Sequence, residues 1–404
     1  MNKFLVFLAT CFAAGPVFFC AAEESVSLGW DAWAPLSGEW RLDNGEIVGR
    51  TAAEMGWLRT KSEFADFELS LEFQTPNPCN GGVQFRGHWL PMLPAQEGVK
   101  AEDLPRRMYG YQANIDTTHP EQTGAVMVEH GVEPLCYASP EAQKTVKADD
   151  WNLLFVRAVG PIIEVAVNGV PAARVYDERF LQGLVALQVQ AVDQVPAEVR
   201  YRNVKIRDLG RTGEWVSLFN GKDLSGWKNW GSEEFSVEDG AIIGRSGPKK
   251  SEGYLCTEAS WKDFRARGRF KMLGEGNFGL FYHASIALRE DGFPVITGVQ
   301  GEVEPSWPGS TGWHYESYRR GWIVKPDTQQ LGAWALRPGE WNEIEIRAVG
   351  NRITTWVNGI QTVDFYDNRH QVFEGGLALQ LHAGGVDGIA WKDLFVQDLS
   401  IRDK

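Results

Sequence analysis

The chain is written twice, and no other feature constrains its fold as strongly. WRLDNGEIVGR at 40 to 50 returns as FSVEDGAIIGR at 235 to 245, an offset of 195 residues. WLRTKSEFADFELSLEF from Trp57 is answered by YLCTEASWKDFRARGRF from Tyr254. WNLLFVRAVGPIIEVAVNGV from Trp151 is answered by WNEIEIRAVGNRITTWVNGI from Trp341, now offset by 190. The order holds to VRYRNVKIRDL from Val199 and IAWKDLFVQDL from Ile389. A repeated unit must bury a core of its own, and 404 residues fit two such units at about 100 to 200 residues per domain. The boundary falls near 210 to 214, so domains are expected over 23–210 and 215–404.

Residues 1–22 read as a signal peptide: Lys3, then an apolar stretch from Phe4 to Phe19, then the small pair Ala21 and Ala22. A lipid anchor on Cys20 is disfavoured by the bulky Phe19 before it. No later apolar run reaches the roughly 20 residues of a spanning helix. The expected location is periplasmic or secreted. The net charge of −13 is spread without basic clusters, which argues against nucleic acid as a partner. In an oxidising compartment Cys79 and Cys136 are able to pair within the first copy, while Cys256 reads as a small buried apolar residue. No CxxC or HxxxH spacing supports zinc.

Within each copy the period is two. Phe67, Leu69, Leu71 and Phe73 alternate with Glu68, Ser70 and Glu72, the pattern of a strand with one buried face. Asn168-Gly169, Asn358-Gly359, Asn44-Gly45 and Asp239-Gly240 supply the positive φ angles of two-residue hairpins. Many short strands joined by such turns predict an all-β fold, two tandem jelly-roll β-sandwiches.

Some strands carry amides and acids that packing alone does not explain. In the first copy these are GGVQFRG at 81 to 87, GYQANID at 110 to 116, GAVMVEHG at 124 to 131 and LQVQ at 187 to 190. The second has FGLFYHA at 278 to 284, GVQGEVE at 298 to 304, GWHYESYRR at 312 to 320 and LQLH at 379 to 382. Alternation groups Gln84 with Arg86, Gln112 with Asn114 and Gln188 with Gln190; the counterparts are Phe281 with His283, Gln300 with Glu302 and Gln380 with His382. Each copy is therefore expected to present a polar row across one sheet, a groove whose amides, acids and rings suit a carbohydrate.

These segments, together with LFNGKDLSGW at 218 to 227 and ALQLHAGG at 378 to 385, resemble the 3-keto-disaccharide hydrolase family, also described as 3-keto-glucoside lyase and 3-keto-2-hydroxy-glucal hydratase. The resemblance covers the chain after its leader, once per copy. It implies a concanavalin A-like jelly roll acting on a sugar oxidised at carbon 3. The ketone acidifies the hydrogen on carbon 2, so a base removes it, the aglycone leaves carbon 1, and water adds back later.

That chemistry needs a base, an acid and a donor for the enolate oxygen. Glu302, His382 and Glu316 are the expected catalytic groups, with Gln300, Gln380, Tyr315, Arg319 and His283 as substrate contacts. The first copy has Asn114 and Gln190 where Glu302 and His382 stand, and an amide is no base. Its expected sugar contacts are Gln84, Arg86, Tyr111, Gln112, Asn114, Glu129 and His130. It reads either as a binding-only copy or as a groove for another sugar with Glu129 or Asp116 in charge. Trp89, Trp307 and Trp313 are candidates to stack on a ring. No cofactor is expected, although Ca²⁺ would be compatible with the acidic GVQGEVE segment. Two other functions fit the same residues: a lectin without turnover, or an ordinary glycosidase using Glu302 and Glu316 as paired carboxylates.

Overall fold

The computed structural model describes residues 25–51, 55–75, 79–92, 104–129, 134–148, 150–192, 195–369 and 374–400. The expected leader and His130 lie outside them. The chain divides into two compact units, 1–90 with 106–212 and 213–404 with 91–105.

Each unit holds two sheets, and every described pairing between strands is antiparallel. In the first unit one sheet runs Trp33–Ser37, Gly56–Phe64, Gly183–Gln190, Asn80–Pro91, Arg106–Asp116, Val126–Val128. Its partner has eight strands, with Asp66–Gln74 between Asn152–Val159 and Ala197–Gly210. In the second unit the corresponding sheet runs Trp227–Gly231, Gly253–Thr257, Gly376–Leu381, Phe278–Leu288, Pro294–Val303, His314–Glu316, Gly321–Val324. Its eight-stranded partner is built around Phe264–Met272. Both are jelly-roll β-sandwiches, and the fold read from the repeats stands.

Parity explains the cores. In the first unit Val83, Phe85, Tyr111, Ala113, Leu187 and Val189 face inward to meet Phe67 and Tyr201. Phe67 and Phe85 rings lie 6.0 Å apart, and the Tyr201 hydroxyl donates to the Gln188 carbonyl at 2.7 Å. The predicted hairpins form at Asn44-Gly45, Asn168-Gly169, Asp239-Gly240 and Asn358-Gly359, with positive φ at both positions of each pair.

Parity breaks at a matching place in the two polar sheets. Arg86 has φ 49° and His283 φ 50°, and the ladders shift register there. A bulge of this kind inserts an extra residue and re-aims its side chain. The expectation that Arg86 shares a face with Gln84 is therefore corrected. Its guanidinium is fully buried and donates to the carbonyls of Ala65, Gly160 and Phe180 and to Asp66 Oδ1 at 3.2 Å. His283 is equally buried, and its Nε2–H donates to the Lys262 carbonyl at 2.8 Å. Both brace the sandwich.

No disulfide joins Cys79 to Cys136, the pairing that the sequence left open. Cys79 approaches the Asn80 and Glu198 carbonyls, whereas Cys136 approaches that of Tyr137. Burial pushes the Cys79 thiol up to about 12, so it is inert. Cys256 is buried, as expected.

Candidate functional site

The second unit carries an open cleft of about 280 Å³ on the face of its seven-stranded sheet turned away from the core, lined by Glu252, Asn277, Gln300, Glu302, Tyr315, Ser317, Tyr318, Trp322, Gln380 and His382. Cross-strand register builds its floor. Gln380 and Glu302 both pair with Gly279, one on each side, and Tyr254 flanks Gln380. A side chain at Gly279 would meet Gln300 Oε1 at 2.5 Å, so glycine keeps the floor open between the two polar residues.

Glu302 lies at the bottom, 3% exposed. Gln300 Nε2 donates to its Oε2 at 2.6 Å and Asn277 Nδ2 to its Oε1. Burial pushes its carboxyl up to about 7, against the opposing pull of those two amides. Because the amide nitrogens face the carboxylate, Asn277 Oδ1 and Gln300 Oε1 are acceptors without a protein donor, as is Gln380 Oε1.

His382 stands at the mouth, with 48% of its side chain exposed. Its Nδ1–H donates to the Ala383 carbonyl at 2.9 Å, which fixes the tautomer, and Nε2 faces Glu252 Oε1 at 3.8 Å. Tyr315 and Trp322 form an aromatic wall, ring centroids 5.3 Å apart and nearly perpendicular.

Of the expected groups, the cleft gathers Glu302, His382, Gln300, Gln380 and Tyr315. Glu316 is corrected: as the next residue along the strand from Tyr315 it points to the opposite side, 1% exposed and tied to Arg320, which also grips Asp367 at 2.8 Å. Arg319 pairs with Glu316 at 3.4 Å and does not line the cleft. With Glu316 turned away, it cannot partner Glu302 as the second carboxylate of an ordinary glycosidase. Trp313 is core and Trp307 packs edge-on against Trp334. Sequence reasoning missed Glu252, Asn277, Ser317, Tyr318 and Trp322. Asn277 immediately precedes a strand of the polar row, which was the available signal.

In the first unit the same row is closed on itself. Gln112 Nε2 donates to Asn114 Oδ1 and to Gln188 Oε1, both at 3.0 Å, and Asn114 Nδ2 donates to Gln122 at 3.1 Å. Gln188 Nε2 points at the Met55 sulfur at 2.9 Å. Asp116 is occupied by Asn80 and by its own loop at Thr118 and His119. Gln84 is fully buried near Met108, its amide atoms without partners. Tyr111 is corrected: its ring packs in the core against Phe85 and Phe180, and its hydroxyl donates to Asp177. Burial pushes the Glu129 carboxyl up to about 7, opposed by Arg107. Among the described residues no group of three or more His, Cys, Asp or Glu gathers to hold a metal, the GVQGEVE segment included.

The profile of the 3-keto-alpha-glucoside-1,2-lyase-like domain matches residues 25–207 and again 214–397. No curated protein matches the chain. Among solved structures, a candidate glycosyl hydrolase from Parabacteroides distasonis is 23% identical over 46% of this chain and 94% of its own, with a TM-score of 0.35. A carbohydrate-binding module from Bacillus subtilis is 16% identical over 44% and 96%, TM-score 0.32. A Bacillus subtilis protein with a galectin-like fold is 12% identical over 45% and 91%, TM-score 0.34.

Proposed function

Because both halves of the chain belong to the 3-keto-alpha-glucoside-1,2-lyase-like domain family, we propose that the second unit is an enzyme of an exported protein, cleaving 3-keto-glycosides by elimination and rehydration. The observation that carries this reading is Glu302, a dry carboxyl at the cleft floor with a proton affinity near neutrality. A base that must take a proton from carbon is strengthened by such desolvation.

In the proposed sequence the Glu302 carboxylate takes the proton from carbon 2. The C–H electron pair forms the bond between carbons 1 and 2 as the bond from carbon 1 to the aglycone oxygen breaks. His382, at the mouth where an aglycone would meet solvent, gives that oxygen a proton from Nε2. The products are the free alcohol and an unsaturated 3-keto sugar. Rehydration runs the two transfers in reverse, with His382 deprotonating water and Glu302 returning its proton to carbon 2. The enolate oxygen that develops at carbon 3 needs a donor, and the Tyr315 hydroxyl and the Gln380 amide on the cleft lining are the candidates. The Tyr315 and Trp322 wall suits the apolar face of a sugar ring.

The test is turnover of a 3-keto-glycoside beside its unoxidised parent. Release of aglycone from the ketone alone supports elimination; cleavage of the parent at a comparable rate overturns it. A second reading applies to the first unit, whose Gln112, Asn114 and Gln188 are hydrogen-bonded to one another and include no acid or base at the Glu302 position. That arrangement favours binding without turnover.

A further inference from the structure

The lining carboxyl of Glu252 sits opposite His382 and has no role in the reaction drawn above. It is 9% exposed at the edge of the Gly253–Thr257 strand. Its Oε2 accepts from the Tyr254 hydroxyl at 2.8 Å and from the Tyr318 hydroxyl, so one oxygen is clamped by two phenols from different parts of the sheet. That leaves Oε1 turned toward His382 Nε2 at 3.8 Å. Burial first, and then the Glu252 charge, push the Tyr254 hydroxyl well above its usual range, as burial and the Glu252 bond do for Tyr318. Both phenols therefore stay protonated as donors.

A second observation points the same way. Aligned by strand register, the first copy has Met55 for Glu252, Trp57 for Tyr254 and Gln190 for His382, and by sequence order alone it has His130 for Tyr318. Every member of the set is replaced at once, whereas Gln300 and Gln380 keep glutamine counterparts in Gln112 and Gln188. A carboxyl present only for local packing would not need the histidine and both tyrosines to leave with it.

We propose that Glu252 is a positioning residue: braced by Tyr254 and Tyr318, it aims His382 Nε2 at the cleft and balances the charge of the imidazolium from which the leaving group takes its proton. Ala383 fixes one ring nitrogen and Glu252 governs the other. The kinetic part of this proposal rests on the elimination reading; the electrostatic part does not.

The experiment follows His382 by imidazole NMR in the full chain and in Glu252→Gln, with the His382→Ala spectrum assigning the signal. The groups that face His382 are Glu252 and, through space, Glu302, so Glu302→Gln is recorded as a control. Loss of the Glu252 anion beside Nε2 is expected to move the His382 Nε2 resonance. Turnover of a 3-keto-glycoside is expected to fall about 10- to 100-fold in kcat with KM little changed. An unmoved His382 Nε2 resonance overturns the proposal whatever the substrate proves to be. A moved resonance with no turnover in the parent protein leaves Glu252 in its role and removes the elimination reading instead. Should Glu252→Gln fail to fold, Tyr318→Phe at the exposed rim frees Glu252 on one side. A kcat loss of about 10-fold at constant KM is then expected, and unchanged kcat sinks the proposal.

Discussion

The two units share a frame and differ in what their polar rows can exchange. In the first, Gln112, Asn114 and Gln188 pass hydrogen bonds among themselves and end on Gln122 and the Met55 sulfur. In the second, Gln300 and Asn277 converge on Glu302, and their carbonyl oxygens are buried without a protein donor. One amide-to-acid difference, Asn114 against Glu302, thus changes where the row leads, although Gln112 and Gln300 both donate to that position. An asparagine both gives and accepts, so it passes a bond on to Gln122. A carboxylate only accepts, so it draws in a second donor, Asn277, instead.

The sharpest way to break the comparison is at that position. Glu302→Gln is expected to cost about 10² to 10⁴ in kcat, the usual worth of a positioned acid or base, while Asn114→Ala leaves turnover unchanged. Steady-state kinetics on a 3-keto-glycoside checks both, and an active Glu302→Gln would move the chemistry out of the second unit. Next come the bulges. Arg86→Met strands Asp66 in the interior and should destabilise the first unit by about 3–5 kcal/mol. His283→Ala removes one bond to Lys262 and should cost the second about 1–2 kcal/mol. Denaturant melts of each variant rank them, and the reverse order would contradict the difference in bracing. The pH profile is a milder probe. A base works only when ionised, so the acidic limb of the kcat/KM profile should have its midpoint near 7, the value at which the buried Glu302 loses its proton. A limb near the ordinary carboxylate value of about 4.3 would mean that the acting acid is exposed. Smallest of all, a reductant should leave the Tm of either unit unchanged, because none of the three described cysteines forms a disulfide.

Much of this was legible in the sequence. The repeats and the period of two give the sandwiches, and the same period puts Gln300, Glu302 and Gln380 on one face. The misplacements have two causes. Tyr111 and Glu316 each adjoin a true member of the row, Gln112 and Tyr315, and adjacent strand residues face opposite ways. Arg86 and His283 have the right parity by counting, but an inserted residue resets the count and nothing in FRG or YHA marks it. Glu252 was invisible for another reason: it stands 130 positions before His382 in the chain, and only the pairing of Gly253–Thr257 with Gly376–Leu381 brings the two together.

The bulge also sets a rule for anyone who would move the chemistry from one unit to the other. Along the Asn80–Pro91 and Phe278–Leu288 strands, positions before Arg86 or His283 and positions after it answer to opposite parities. A transplant drawn up by residue count would carry its far half onto the wrong side of the sheet. Matched rung by rung through the backbone ladder, the exchange takes in Met55, Trp57, Asn114 and Gln190, all on strands or strand ends other than the kinked one.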